Sequence, residues 1–285
     1  MLIKNLLSIA FAFLLIFGNQ SCKSQKSKPL ASPSQYDLNN PEVFNLPAEL
    51  SEISGMAYYP KDSSVFAIID EDGILFKIYL NGSGTIKKWK FDKKHDFEDI
   101  VMYDSAFYVL VSNGNIQTLK FIGDSIISSK SDLGNTSKKT NEFESLYYDS
   151  SLSLVILCKE CEDDKKSIVS AWGYAPDSMA YNSKLFSLDV SQISQKLNEK
   201  KLHFKPSAAT INPITNELYI ISSINKLLVI ADNKGNVKEV YPLDPVIFKQ
   251  PEGITFTPWG DLLISNEAAE SGNPNILIFK TKKKG

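Results

Sequence analysis

The chain has 285 residues, 43% of them hydrophobic and 11% aromatic, enough for one large domain with a sizeable core. Its formal charge is −2, or −3 once residues 1–21 (one Lys, no acid) are set aside, which excludes the basic face of a general nucleic-acid binder. All 31 basic residues are Lys, so forked guanidinium recognition of phosphate or carboxylate is excluded as well.

Residues 1–22 carry Lys4, an apolar run from Leu6 to Phe17, and then Gly18-Asn19-Gln20-Ser21-Cys22. The run is too short for a spanning helix and reads as a secretory signal. Cys22 resembles the acylated Cys of bacterial lipoproteins, although Asn19 and Gln20 depart from the usual residues before such a Cys. An ordinary signal peptide with an incidental Cys is the alternative. The expectation is an exported protein, lipid-anchored through Cys22 to the outer membrane or a periplasm-facing membrane. Residues 23–34 are polar and proline-punctuated and predict a flexible tether; 35–285 form a single domain.

Within that domain a unit recurs: a short strand opened by an acidic or small residue, a turn, then a nearly all-apolar strand ending in a small polar residue. Copies begin at Ser54, Glu98, Glu144, Ala208 and Glu252, spaced by 44, 46, 64 and 44. That period in an all-strand chain predicts a β-propeller of five four-stranded blades, with a degenerate sixth inside the 64-residue interval left open. The leading segment, Tyr36-Asp37-Leu38 and Glu42 to Leu46, precedes the first unit, and the last unit has only three strands. The leading segment therefore supplies the missing outer strand and closes the ring.

The second strands are continuously apolar: Phe66-Ala67-Ile68-Ile69, Tyr108 to Val111, Leu154 to Leu157, Leu218 to Ile221 and Leu262-Leu263-Ile264. Both faces of such strands must be covered, as in blades packed side by side. The extra length of the third unit lies in Glu162 to Lys166 and in Ser191 to Leu202, where Ile193, Leu197 and Leu202 predict a short surface helix. Cys158 and Cys161 form a C-x-x-C without a second pair or a nearby His, so a structural pair, oxidised or not, is preferred to a zinc site.

Leu50 to Tyr58, Asp70 to Ile78, Asp96-Phe97-Glu98-Asp99-Ile100 and Gln250 to Ile254 resemble the SdiA-regulated family of bacterial β-propeller lipoproteins from residue 36 onward. The resemblance implies the propeller and an envelope location; it does not imply an activity.

In a four-stranded blade the start of the first strand and the end of the second share one rim. Ser54, Glu98, Glu144, Ala208 and Glu252 are therefore expected around the channel mouth, with Asp70, Ser112, Cys158, Ser222 and Ser265 one shell outward. Asp70, Glu71, Glu98, Glu144, Glu252, Asn266 and Glu267 are the candidate ligand-binding residues. Glu98, Glu144 and Glu252 are the candidate metal ligands, their oxygens suited to Ca²⁺ or another hard cation. The competing reading has each Glu accepting backbone N–H groups that tie blades together. No nucleophile elbow is present, and of the two histidines only His95 falls near the rim. The expected function is a binding module using its channel-mouth face for a small-molecule or protein ligand, with or without a bound cation. A metal-dependent hydrolase of the lactonase or phosphoesterase kind is the alternative.

Overall fold

The computed structural model describes residues 29–82, 84–134, 138–164, 166–268 and 272–282. The signal segment and Cys22 lie outside the described residues. Blade one comprises β2 (Ile53–Tyr59), β3 (Ser64–Ile69), β4 (Ile74–Tyr79) and β5 (Lys87–Lys90). Blade two comprises β6 (Phe97–Tyr103), β7 (Ala106–Val111), β8 (Ile116–Ile122) and β9 (Ser125–Ser131). Blade three comprises β10 (Glu142–Asp149), β11 (Ser153–Glu160), β12 (Ile168–Ala175) and β13 (Ala180–Asp189). Blade four comprises β14 (Ala208–Ile211), β15 (Leu218–Ser222), β16 (Leu227–Ala231) and β17 (Val237–Pro242). Blade five comprises β18 (Pro251–Phe256), β19 (Leu262–Asn266), β20 (Asn275–Phe279) and, as its outer strand, β1 (Glu42–Asn45).

The architecture is thus a five-bladed propeller, and the long third interval holds no sixth blade. Its length goes into the long β12–β13 hairpin, the 3-10 turn Glu162–Asp164 and α1 (Val190–Leu197). The helix is capped by Asp189, whose carboxylate accepts from the Ser191 N–H, and it ends at Asn198 in a left-handed conformation. Ile193 is fully buried against the seam between blades three and four, so the helix is a cover for that seam.

The first strands pack around the axis in the cyclic order β2, β6, β10, β14, β18. The apolar side chains of each second strand divide between the two seams it borders. Phe66 and Ile68 face blade two, whereas Val65, Ala67 and Ile69 face blade five. Tyr108 and Leu110 face blade three, whereas Phe107, Val109 and Val111 face blade one. The same alternation holds in β11, β15 and β19, which is why these strands show no polar face.

Ring closure is an antiparallel ladder, with Val43 opposite Leu277 and Phe44 opposite Ile276. Tyr36 completes the clasp. Buried between blades four and five, its hydroxyl donates to the Gly260 carbonyl at 2.7 Å and accepts from Asn212 Nδ2 at 3.1 Å. Burial pushes this phenol up to about 12. The chain is already held to the domain at Leu30, whose N–H and C=O both bond the Asn39 side chain.

Candidate functional site

The first strand of each blade enters the channel from one rim, and in four blades that strand carries a bulge. Phe97 pairs with Val111 and Asp99 with Leu110, leaving Glu98 as the extra residue. Glu144 is extra between Phe143 and Ser145, and Glu252 between Pro251 and Gly253. A bulge removes a residue from the ladder and re-aims its side chain, here toward the axis. In blade one the pair Ser54-Gly55 occupies the bulge. In blade four the position falls on Ser207, whose N–H donates to the Ile221 carbonyl.

These five residues line a cavity of about 330 Å³ at the mouth of the channel. Around them stands a second ring, Asp70, Ser112, Lys159, Ser223 and Glu267, with Asp96 and Glu142 at the edge. Two expectations are thereby corrected. Ala208, Cys158, Ser222 and Ser265 do not face the mouth; Ser207, Lys159, Ser223 and Glu267 hold the corresponding places. The second strands extend by different lengths past the small residue that ends their apolar run, so alignment on that residue slips by one or two.

Of the candidate ligand-binding residues, Asp70, Glu98, Glu144, Glu252 and Glu267 converge on the cavity, and Glu71 and Asn266 do not. Glu71 is exposed and pairs with Lys94 at 2.8 Å. Asn266 is fully buried, its Nδ2 donating to the Ile247 carbonyl and to Asn275 Oδ1, so it ties β19 to its surroundings. His95 lies 3.5 Å from Asp92 and outside the cavity. His203 belongs to a neighbouring depression of about 350 Å³, which shares Glu142 and Lys159 with the mouth.

The mouth is strongly anionic, and Lys159 is the one cation among its lining residues. Its ammonium pairs with Glu144. Burial raises four of the other carboxyls, Glu98, Glu252, Glu267 and Asp70, and neighbouring carboxylates add to it in Glu98, Glu267 and Asp70. Glu98 rises to about 8 through burial and then Asp96, with Lys159 opposing. Glu267 rises to about 8 through burial, Glu252 and Asp70, and Asp70 to about 6 through burial and Glu52. Burial raises Glu252 also, against the hydroxyls of Ser223 and Ser207. Within this cavity, Ser54 is 5% exposed and its Oγ has no partner; Asp70 Oδ1 is likewise buried and unpartnered.

The blade-tying role considered for the glutamates falls instead to the next residue of blade two. The fully buried Asp99 carboxylate accepts from its own neighbour Ile100 N–H at 2.8 Å and from Leu146 N–H of blade three at 2.8 Å. Gly55 makes room for it, since a Cβ there would lie 2.7 Å from both Cα and Oδ1 of Asp99. The sequence signal for this role was the Glu-Asp pair at 98–99, one residue facing the axis and one facing the next blade. Behind the mouth, the first strands of all five blades line a second space of about 100 Å³, with Met56, Ile100, Leu146 and Ile254 alongside Thr210 and Thr255.

Cys158 and Cys161 form a disulfide, so no thiolate is available to a metal there. Asp164, within 4.8 Å of both sulfurs, spends its oxygens on the Ser170 N–H at 3.0 Å and hydroxyl at 2.5 Å. This pair is structural, and it brackets Lys159 and Glu160.

Oxygen ligands converging without enough countercharge are what a hard cation requires, six to eight oxygens for Ca²⁺. Glu98, Glu252, Glu267 and Asp70 share one cavity with Ser54 Oγ, but as they stand no three of these carboxylates lie within 4.8 Å of one another, so an ion would have to draw them together. The cavity leaves space beyond one ion for water or for a group on a larger ligand.

The sequence model of a family described as SdiA-regulated matches residues 35–270. No curated protein matches the chain. Among solved structures, glutaminyl cyclase from Myxococcus xanthus superposes with a TM-score of 0.58 at 12% identity, over 85% of this chain and 94% of that one. A putative oxidoreductase (glucose dehydrogenase) from Thermus thermophilus gives 0.55 at 9% identity, over 84% and 100%. A luciferin-regenerating enzyme gives 0.51 at 12% identity, over 86% and 98%. At these identities the likeness is one of fold alone.

Proposed function

The chain belongs to the SdiA-regulated family, and from that premise we propose that it is an envelope lipoprotein whose propeller is a binding module, its acidic mouth taking a hard cation such as Ca²⁺, free or as the contact point of a larger ligand. One observation carries this reading: the mouth gathers Asp70, Glu98, Glu144, Glu252 and Glu267 against a single ammonium, with the buried Ser54 hydroxyl unpartnered among them. In water-poor surroundings such charges are costly unless a cation or protons neutralise them. Protons hold the balance when the site is empty, as the raised Glu98 and Glu267 carboxyls indicate. A divalent ion would replace them. Cys22 acylation would hold the domain at the membrane, with residues 23–28 as the link.

Isothermal titration with Ca²⁺, Mg²⁺ and Mn²⁺ tests the cation. The expected result is one site that releases protons on filling and that weakens in Glu98→Gln and Glu252→Gln. Absence of binding by all three ions between pH 6 and 9 would remove the reading.

A metal-dependent hydrolase is the second reading. It is favoured by Glu98 alone, since a carboxyl raised to about 8 beside a bound ion is suited to proton transfer near neutral pH. Turnover of a lactone or phosphoester panel with added metal, lost in Glu98→Gln, would support it. No turnover across that panel would leave the binding module.

A further inference from the structure

The rim opposite the mouth is built from the turns joining the first and second strands of each blade, and these turns are not alike. Blades four and five present Pro213-Ile214 and Pro258-Trp259, with Ile214 65% and Trp259 52% exposed. Blade one presents Pro60-Lys61, both exposed. Blades two and three present Asp104-Ser105 and Ser150-Ser151 instead. The turns of these three consecutive blades therefore form a sector of apolar and basic side chains, with Asp62 beside Lys61 paired to Lys77, and the turns of the other two blades are polar.

The sector is continuous. Gly260 approaches Ile214 so closely that a Cβ on it would lie 2.8 Å from Ile214 Cγ1. Trp259 meets Tyr58 of blade one edge-on, with ring centroids 5.8 Å apart. Both ends of the described chain emerge here. The Tyr36 hydroxyl bonds the Gly260 carbonyl, and Lys282 donates through its N–H to the Gln35 carbonyl and through Nζ to the Tyr36 carbonyl, each at 2.8 Å. Lys280 and Lys282 are exposed beside them, Lys280 paired with Asp261 at 3.1 Å, and the sequence continues with Lys283 and Lys284.

We propose that this sector, centred on Trp259 and Ile214 and flanked by Lys61, Lys280 and Lys282, is a docking face for an anionic bilayer surface. Indole at the headgroup level, a neighbouring aliphatic side chain and lysines that reach phosphate form an interfacial contact set. The sector lies where the membrane would be. Eight Cα–Cα steps separate Cys22 from Leu30, a reach of at most about 29 Å, so an anchored chain brings this rim, and not the mouth, to the bilayer. The inference rests on the lipid-anchor reading of Cys22 and is independent of what the mouth binds. It orients the acidic cavity away from the membrane.

The test uses the lipidated full chain in phosphatidylcholine–phosphatidylglycerol vesicles, with and without bromine at mid-acyl chain, and reads tryptophan emission. Trp172, within β12, is the internal reference, whereas Trp89, whose indole N–H donates to the Asp124 carbonyl in the β8–β9 turn of this rim, lies outside the sector and is replaced by Phe in every sample. The expected result is quenching by brominated lipid that Trp259→Phe largely abolishes. Replacing Lys280 and Lys282 by Ala should lower the docked fraction about fivefold per lysine. Protein that floats with the vesicles but shows no Trp259-dependent quenching overturns the docking face and leaves the anchor intact. Protein that does not float removes the anchor and, with it, this inference.

Discussion

Glu98→Gln should change how stability responds to pH. In the empty protein the Glu98 carboxyl keeps its proton up to about 8, whereas in the unfolded chain it loses it near 4.5. The folded state therefore binds the extra proton between those values. Stability contributed by this group is complete below about 4.5 and is lost as pH rises through about 8. A shift of this size has a ceiling near 5 kcal/mol at ~1.4 kcal/mol per unit. Partial solvent screening and titration shared with Glu252 reduce it to roughly 1–2 kcal/mol. For a domain of this length that is about 2–8 °C in Tm. Thermal unfolding followed by circular dichroism, in chelator, from pH 5 to 8.5 measures it. The wild type should lose stability across the interval, Glu98→Gln should flatten the slope, and millimolar Ca²⁺ should restore the wild type most at the alkaline end. A wild-type Tm that holds constant or rises with pH, or an identical slope in the variant, would refute the reasoning.

Lys159→Met removes the cation that pairs with Glu144 and opposes the rise of Glu98 and Glu252, so calorimetry should find Ca²⁺ bound about tenfold more tightly, by roughly 1–2 kcal/mol. Tyr36→Phe deletes a buried hydroxyl that serves both Gly260 and Asn212, and urea unfolding should register a loss of about 1–3 kcal/mol. Leu157→Ala opens a cavity in the seam between blades three and four, where Leu157 is 1% exposed, and the same assay should show a loss of about 2–5 kcal/mol. Reducing Cys158–Cys161 opens a loop of only a few residues, so the domain should stay folded with about 2 kcal/mol less stability.

Most of the architecture was legible because it follows from one repeated fact. A second strand that buries both faces, such as Leu154 to Leu157, has room only between two other sheets, and five such strands imply five seams. Ring closure was legible from arithmetic, a spare strand at one end and a vacancy at the other. The candidate site was legible only in part. Glu98, Glu144 and Glu252 stood out because they recur, but whether a residue faces the axis depends on a bulge, and bulges leave little trace in composition. Hence Lys159, the residue that sets the charge of the mouth, was passed over for its neighbour Cys158. Glu71 was included because it follows Asp70, yet the chain turns there and sends it to Lys94.

The clasp that joins β1 to blade five has a consequence for biogenesis. Tyr36 and Gly260 stand 224 positions apart, and the ladder with β20 requires residues 275–279 to be made. Vectorial, blade-by-blade maturation cannot finish this domain; until residues 275–279 have been made, blade five is incomplete and β1 waits without a mate. Such long-range pairing makes for slow final annealing. A nascent chain of this kind stays threadable until then, and one that lacks residues 275–279 would leave β1 and β19 without the strand they share.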